Sequence, residues 1–194
     1  MSMNIDCTAL DRWVRSNLSS RRFQHCKQVA RTCLLLSRQY HDDFDEALLY
    51  QCGILHDIAR EWSSDALENY ASVHHLSLLE EEKQNSVLLH APVGAALLSE
   101  MGYEPLLCTA VRYHTIGSIQ MGRLGLILYL ADFLEPGRLH LDQKRRQELS
   151  RASSLESLCI EVLKMEHGYL SSKGKEVSQT SVQLLSYLTG GGRL

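Results

Sequence analysis

Two carboxylates stand where an apolar helix would not ordinarily hold them. Asp57 interrupts Cys52-Gly-Ile-Leu-His-Asp-Ile-Ala59, and Asp132 interrupts Leu126-Ile-Leu-Tyr-Leu-Ala-Asp-Phe-Leu134. Aspartate is a poor helix former and costly to bury unless its charge is compensated. Histidines recur in similar settings: His25, His56 beside Asp57, His90 after Val87-Leu-Leu, and His114 after Ala110-Val-Arg-Tyr. Taken singly, each has an ordinary explanation as a hydrogen-bonded core imidazole or an aspartate paired with arginine. Together, four imidazoles and two carboxylates are the donors that suit iron, manganese, cobalt or zinc. Neighbouring His56 and Asp57 on a helix would diverge by roughly 100°. Each can then reach a different side of a metal centre, with the aspartate free to bridge two ions. The set can supply a dinuclear site with open positions for water and substrate.

The elements that must position these residues read as helices nearly throughout. Phe23, Cys26, Ala30, Cys33, Leu34 and Ser37 recur at helical spacing, as do Ala47, Leu48, Cys52, Leu55 and Ala59. So do Leu155, Leu158, Cys159, Val162 and Leu163, then Val177, Ser181, Leu184, Leu185 and Leu188. Pro92 is predicted in a helix first turn and Gly102 at a helix stop. No segment alternates with period two long enough to predict a strand. The expected architecture is an all-α bundle, one domain over 1–194, with helices continuing over about 142–190.

Composition narrows the partners. The 194 residues are 44% hydrophobic and carry a formal charge of only −3, so no global field attracts a nucleic acid polymer or an anionic membrane. The basic run Lys144-Arg145-Arg146 is expected on a solvated helix face. Met1–Trp13 carries acids and lacks an apolar core, which argues against a signal peptide, and Leu124–Leu134 is too short to span a bilayer. A cytoplasmic protein is expected. Six cysteines (Cys7, Cys26, Cys33, Cys52, Cys108, Cys159) form no C-x-x-C pair and are expected to be buried, reduced thiols. No exposed apolar stripe can be picked out along the chain, which leaves the oligomeric state open.

The series His … His-Asp … His … His … Asp resembles the HD-domain metal-dependent phosphohydrolases. Its flanks, Arg22-Phe-Gln-His25, Leu55-His-Asp-Ile-Ala-Arg60, Leu88-Leu-His-Ala-Pro-Val-Gly94, Val111-Arg-Tyr-His-Thr115 and Tyr129-Leu-Ala-Asp-Phe-Leu-Glu-Pro-Gly-Arg138, are similar to those of the bacterial symmetrical bis(5'-nucleosyl)-tetraphosphatases. The likeness covers about residues 20–140. It implies an HD-domain helical bundle with two divalent metal ions, iron favoured and manganese or zinc also suited. His25, His56, Asp57 and Asp132 would hold one ion, and Asp57, His90 and His114 the other. Arg60 stands where the family more often has lysine, and a planar fork is not a point charge.

The implied reaction is hydrolysis of diadenosine tetraphosphate, a small-molecule nucleotide, to two ADP by a metal-bound hydroxide. Asp57 and Arg60 would be its catalytic residues. Arg22, Arg60, Arg112, Thr115, Glu135 and Arg138 lie near the motifs and are candidates for substrate contacts, although for each arginine a structural salt bridge is an equal alternative. Other HD-domain activities, on nucleoside monophosphates or guanosine polyphosphates, are the nearest rivals. A non-catalytic nucleotide sensor is a further one, against which the complete set of six ligands argues.

Overall fold

In a computed structural model, which describes residues 7–138 and 141–194, the chain folds into helices α1 (Cys7–Asn17), α2 (Ser20–Gln39), α3 (Glu46–Leu55), α4 (Ser64–Val73), α5 (Glu80–Gln84), α6 (His90–Glu100), α7 (Pro105–Tyr113), α8 (Gly122–Leu134), α9 (Gln143–Leu149), α10 (Leu155–Ser172) and α11 (Gln179–Thr189). A short 3-10 helix, Ser86–Leu89, leads directly into α6. Among the described residues there is no strand, as expected from the helical spacing.

Local chemistry sets the boundaries. Ser19, Asp45, Ser63, Asp142, Ser154 and Ser178 each accept a first-turn amide with their side chains, which satisfies donors that a helix start leaves unpaired. Pro105 opens α7, Pro92 lies in the first turn of α6, and Gly102 follows α6 at φ +83°. Helices α3 and α8 form the centre. Gln51–Leu55 and Leu124–Ala131 are buried on every side, so neither helix shows an amphipathic stripe. Helix α2 crosses α3 so closely that a β-carbon at Gly53 would lie 2.4 Å from Cα of Ala30, and only glycine fits there.

The main core runs from Leu10 on α1 to Leu188 on α11. A second, small cluster of Ala59, Leu67, Ala71, Leu89 and Val93 lies under α4. Cys26, Cys33, Cys52 and Cys159 are buried free thiols, and Cys108 is free and half-buried. The side chain of Cys7 lies outside the described ones. Among the described residues no helix is long and apolar enough to cross a membrane.

One buried contact between helices carries a pH signature. Tyr129 on α8 donates its hydroxyl to Glu166 on α10. Burial, reinforced by Asp132, pushes the Glu166 carboxyl up to about 7 despite that bond. The folded chain therefore holds the proton more tightly than the unfolded one. Its stability falls as pH rises from the ordinary carboxylate range to about 7 and is flat above it, a loss of up to ~3 kcal/mol. Glu166→Gln is expected to raise the melting temperature at pH 8 and leave it nearly unchanged at pH 4.5. Equal shifts at both pH values would show that ionisation of Glu166 is not the cause.

Candidate metal centre

The six expected ligand residues converge from five places in the fold. His25 lies in the second turn of α2, His56 caps the C-terminus of α3, and His114 caps α7. His90 begins α6, and Asp132 is in the last turn of α8. The C-terminal ends of α3, α7 and α8, whose partial negative charge favours cations, thus lie at one small region together with the N-terminus of α6. The expectation that His56 and Asp57 share a helix is corrected here. Helix α3 ends at Leu55, and the chain continues in turns closed by Ile58 N–H to Leu55 O and Arg60 N–H to Asp57 O.

The helix ends also orient the imidazoles. His56 Nδ1 lies 2.7 Å from Gly53 O, His90 Nδ1 2.6 Å from Val87 O, and His114 Nδ1 2.7 Å from Val111 O. In each case the carbonyl belongs to the residue three before the histidine. A carbonyl only accepts, so Nδ1 carries a proton and Nε2 faces the centre, free to donate to a carboxylate or to offer its lone pair to a cation. His25 is oriented differently, with Nδ1 3.3 Å from Oε1 of buried Glu135.

Asp57 lies in the middle, only 3% exposed. Its Oδ2 is 3.6 Å from His25 Nε2 and 3.4 Å from His56 Nε2; its Oδ1 is 3.4 Å from His90 Nε2 and 3.7 Å from His114 Nε2. Asp132 Oδ1 is 3.1 Å from His25 Nε2 and 3.9 Å from His56 Nε2. Two donor groups result, His25–His56–Asp132 and Asp57–His90–His114, each with ligand atoms within 4.8 Å of one another. Burial alone would raise the Asp57 carboxyl, but positive charge at His56 and hydrogen bonds from His114 and His56 outweigh it and hold it well below the usual range. Asp132 is likewise lowered, against its burial, by His25, His56 and Arg138. Burial first, then His114, pushes His90 down to about 3, which keeps its ring neutral.

This donor set fits divalent metal. His25 Nε2 and His56 Nε2 are buried without a hydrogen-bond partner. His90 Nε2 and His114 Nε2 lie 3.3 Å apart, each with its proton committed to the opposite ring nitrogen. The Thr115 hydroxyl is 3.2 Å from both and can donate to only one. Buried lone pairs that face one another without donors are what a cation relieves.

The family model described as HD domain matches residues 22–137, more than half of the chain. The chain belongs to the HD-domain family. HD-domain proteins bind divalent metals, and His56-Asp57 lies at the heart of the cluster that has the donors for them. The chain is 29% identical to a Staphylococcus aureus protein named symmetrical bis(5'-nucleosyl)-tetraphosphatase, over 95% of this chain and 94% of the relative. It is 27% identical to a Bacillus subtilis protein of the same name, over 92% and 95%. A crystal structure of a predicted HD superfamily hydrolase from Clostridium acetobutylicum, 24% identical, superposes with a TM-score of 0.85 over 96% of this chain and 98% of that one. That likeness concerns the fold.

The expected substrate contacts separate in this HD-domain structure. Arg22 reaches Asp57 Oδ2 at 2.8 Å, and Arg138 bonds the Asp132 carboxylate and, through Nε, its carbonyl at 2.9 Å. Half-buried Arg60 has no ion-pair partner among the described residues, yet it is near enough to His90 to help depress it. Glu135 is 3% exposed, accepts from Gly137 N–H at 2.6 Å, and has Oε1 3.3 Å from His25 Nδ1 and 3.9 Å from Arg138 Nε, so it is placed to orient both side chains.

Arg112 departs furthest from the expected phosphate contact. Its fork grips Glu82, which is 1% exposed, and it also donates to Ser77 O at 3.1 Å. Breaking such a pair strands a buried carboxylate. Arg112→Ala is expected to cost about 3 kcal/mol in urea unfolding while the metal content of the folded protein stays unchanged. Undiminished stability with lowered turnover would return Arg112 to the phosphate.

Sequence reasoning missed two neighbours of the cluster. The Cys26 thiol lies within 4.8 Å of the His56 and Asp57 ligand atoms; burial first, then the Asp57 charge, raises its pKa well above the ordinary value and keeps it a neutral thiol. Gln28 accepts Gly137 N–H at 2.9 Å and tethers the loop after α8. Neither carries a signal in the sequence beyond its place on the His25 helix.

Proposed function

We propose that the protein hydrolyses diadenosine tetraphosphate to two ADP, and that the single domain seen by the sequence reading spans 1–194. The observation that carries the reaction class is the divided Asp57 carboxylate, one oxygen toward His25 and His56 and the other toward His90 and His114. The substrate assignment draws on two relatives matched over nearly their full lengths, both named for symmetrical cleavage. In this reading His25, His56, Asp57 and Asp132 hold one divalent ion, and Asp57, His90 and His114 a second. Iron is favoured by the resemblance, with manganese and zinc also suited to these donors. Bound divalent ions supply Lewis-acid polarisation of phosphate oxygens and acidify water.

The chain's own residues do the rest. Carbonyls at three helix ends fix the imidazole tautomers before any ligand arrives, so little reorganisation accompanies binding. Arg60 meets the phosphate chain as a cation not committed to a carboxylate. Arg22 and Arg138 neutralise Asp57 and Asp132 and turn toward phosphate oxygens, and Thr115 offers a hydroxyl beside the second donor group.

Cleavage of the central anhydride by one water gives two ADP, with no AMP or ATP. In isotope-labelled water one solvent oxygen enters one of the two ADP molecules, at the phosphorus attacked. AMP plus ATP as main products would overturn symmetrical cleavage, and phosphate release from nucleoside monophosphates alone would replace the substrate.

A further inference from the structure

The loop that leaves α8 carries Glu135, which faces His25, and Arg138, which holds Asp132. A helix C-terminus leaves carbonyls without partners, and a loop with few contacts would let both side chains drift. Arg146 on α9 meets this need. Its Nη1 donates to Leu134 O at 2.5 Å, and its Nη2 donates to Arg138 O at 2.8 Å and Glu135 O at 3.2 Å. Three carbonyls from both ends of the loop therefore share one guanidinium.

The neighbours of Arg146 behave otherwise. Lys144 is exposed, while Arg145 turns to Met165 Sδ at 3.2 Å and Glu148 at 2.8 Å. The expectation of a solvated face for 144–146 thus fails at Arg146. Helix α9 is a firm base for the contact, because Leu149 is buried in the main core. The positive group also lies at the C-terminal dipole of α8.

We propose that Arg146 is a positioning residue for the hydrolysis. It clamps the 134–138 loop and so holds Arg138 and Glu135 in register with the histidine–aspartate cluster. This is a task for the C-terminal helices, which lie beyond the family match ending at 137. The catalytic part of the inference rests on the proposed reading of Arg138 as a phosphate contact. A cavity of about 150 Å³ adjoins the clamp, lined by Arg146 together with Leu36, Tyr40, Leu134, Leu149 and Leu158 among others. Truncation of Arg146 opens onto this space, where water can reach the released carbonyls, so the loop loosens while the core stays packed.

The test joins amide exchange with a double-mutant cycle on the metal-loaded, full-length protein. In Arg146→Ala the amides of Gly137 and Arg138 exchange about tenfold or more faster, while those in the middle of α2 and α8 keep their protection. Turnover of diadenosine tetraphosphate falls about tenfold in kcat with bound metal retained, and Arg146→Lys recovers part of it. Arg138→Ala combined with Arg146→Ala loses less than the product of the two single losses, because much of the clamp's effect passes through Arg138 and the remainder through Glu135. Unchanged exchange at Gly137 and Arg138, or losses that add in the cycle, would overturn the proposal. Should alanine prevent folding, Arg146→Lys supplies the same readings. A wild type inert toward the tetraphosphate defeats the proposed substrate, and the exchange measurement, which needs none, still decides the clamp.

Discussion

Asp57→Ala is expected to abolish turnover and to strip the protein of bound metal in one step. Every other candidate ligand faces one donor group, but Asp57 faces both, with each oxygen 3.4–3.7 Å from a different pair of imidazoles. Removal of the carboxylate leaves four inward-facing rings and the Arg22 guanidinium without the anion that they surround. Bound metal is worth several kcal/mol of transition-state stabilisation, so the loss of turnover exceeds about 10³-fold. The helices should survive, since Asp57 lies beyond the end of α3. Metal stabilises the wild type by mass action, by about 4 kcal/mol at a thousandfold excess over the dissociation constant, and the variant should show almost no such shift. Metal analysis, melting with and without added ion, and a turnover assay on one preparation decide it. A folded variant with full activity would remove Asp57 from the centre of the site.

Arg60→Ala and Arg138→Ala should separate charge stabilisation from metal binding. Neither guanidinium can ligate a cation, so both variants are expected to keep their metal. Loss of a well-placed donor in a partly dry site costs about 2–4 kcal/mol in kcat/KM, or roughly 30- to 1,000-fold. Arg60 is the cleaner case, because no carboxylate partner is left behind when it goes. Arg138→Ala also exposes Asp132, whose carboxyl the guanidinium helps to hold low. Titration compares its metal affinity directly with that of Arg60→Ala. If either variant loses its metal or its fold, that arginine is a structural partner and has no place on the phosphate.

The helical class, the caps and the ordered ligands are legible along the chain because each depends on neighbours in sequence. Serine or aspartate before a helix, proline in a first turn and glycine past an end act within a few residues. The histidines and aspartates stand out because their polarity conflicts with the apolar runs around them. What one chain position cannot display is which partner a charge will meet. Arg112 and Arg60 look alike in sequence, both basic residues within three positions of a histidine or aspartate of the series. Folding gives Arg112 the buried carboxylate of Glu82, thirty residues away, and leaves Arg60 without an ion-pair partner among the described residues.

The sequence alone thus determined the inventory: an all-helical chain and six metal-suited side chains in the order of an HD-domain protein. Only the tertiary structure decided their use. It placed His56, His90 and His114 at helix ends, where carbonyls three residues earlier set the tautomers. It set Glu135 between His25 and Arg138, and it drew Arg146 out of a basic run to close the loop after α8. The reason is one of range. Helix formation and capping are settled over a few residues, whereas a charge acts on whatever the packing of distant segments brings within a few ångströms of it.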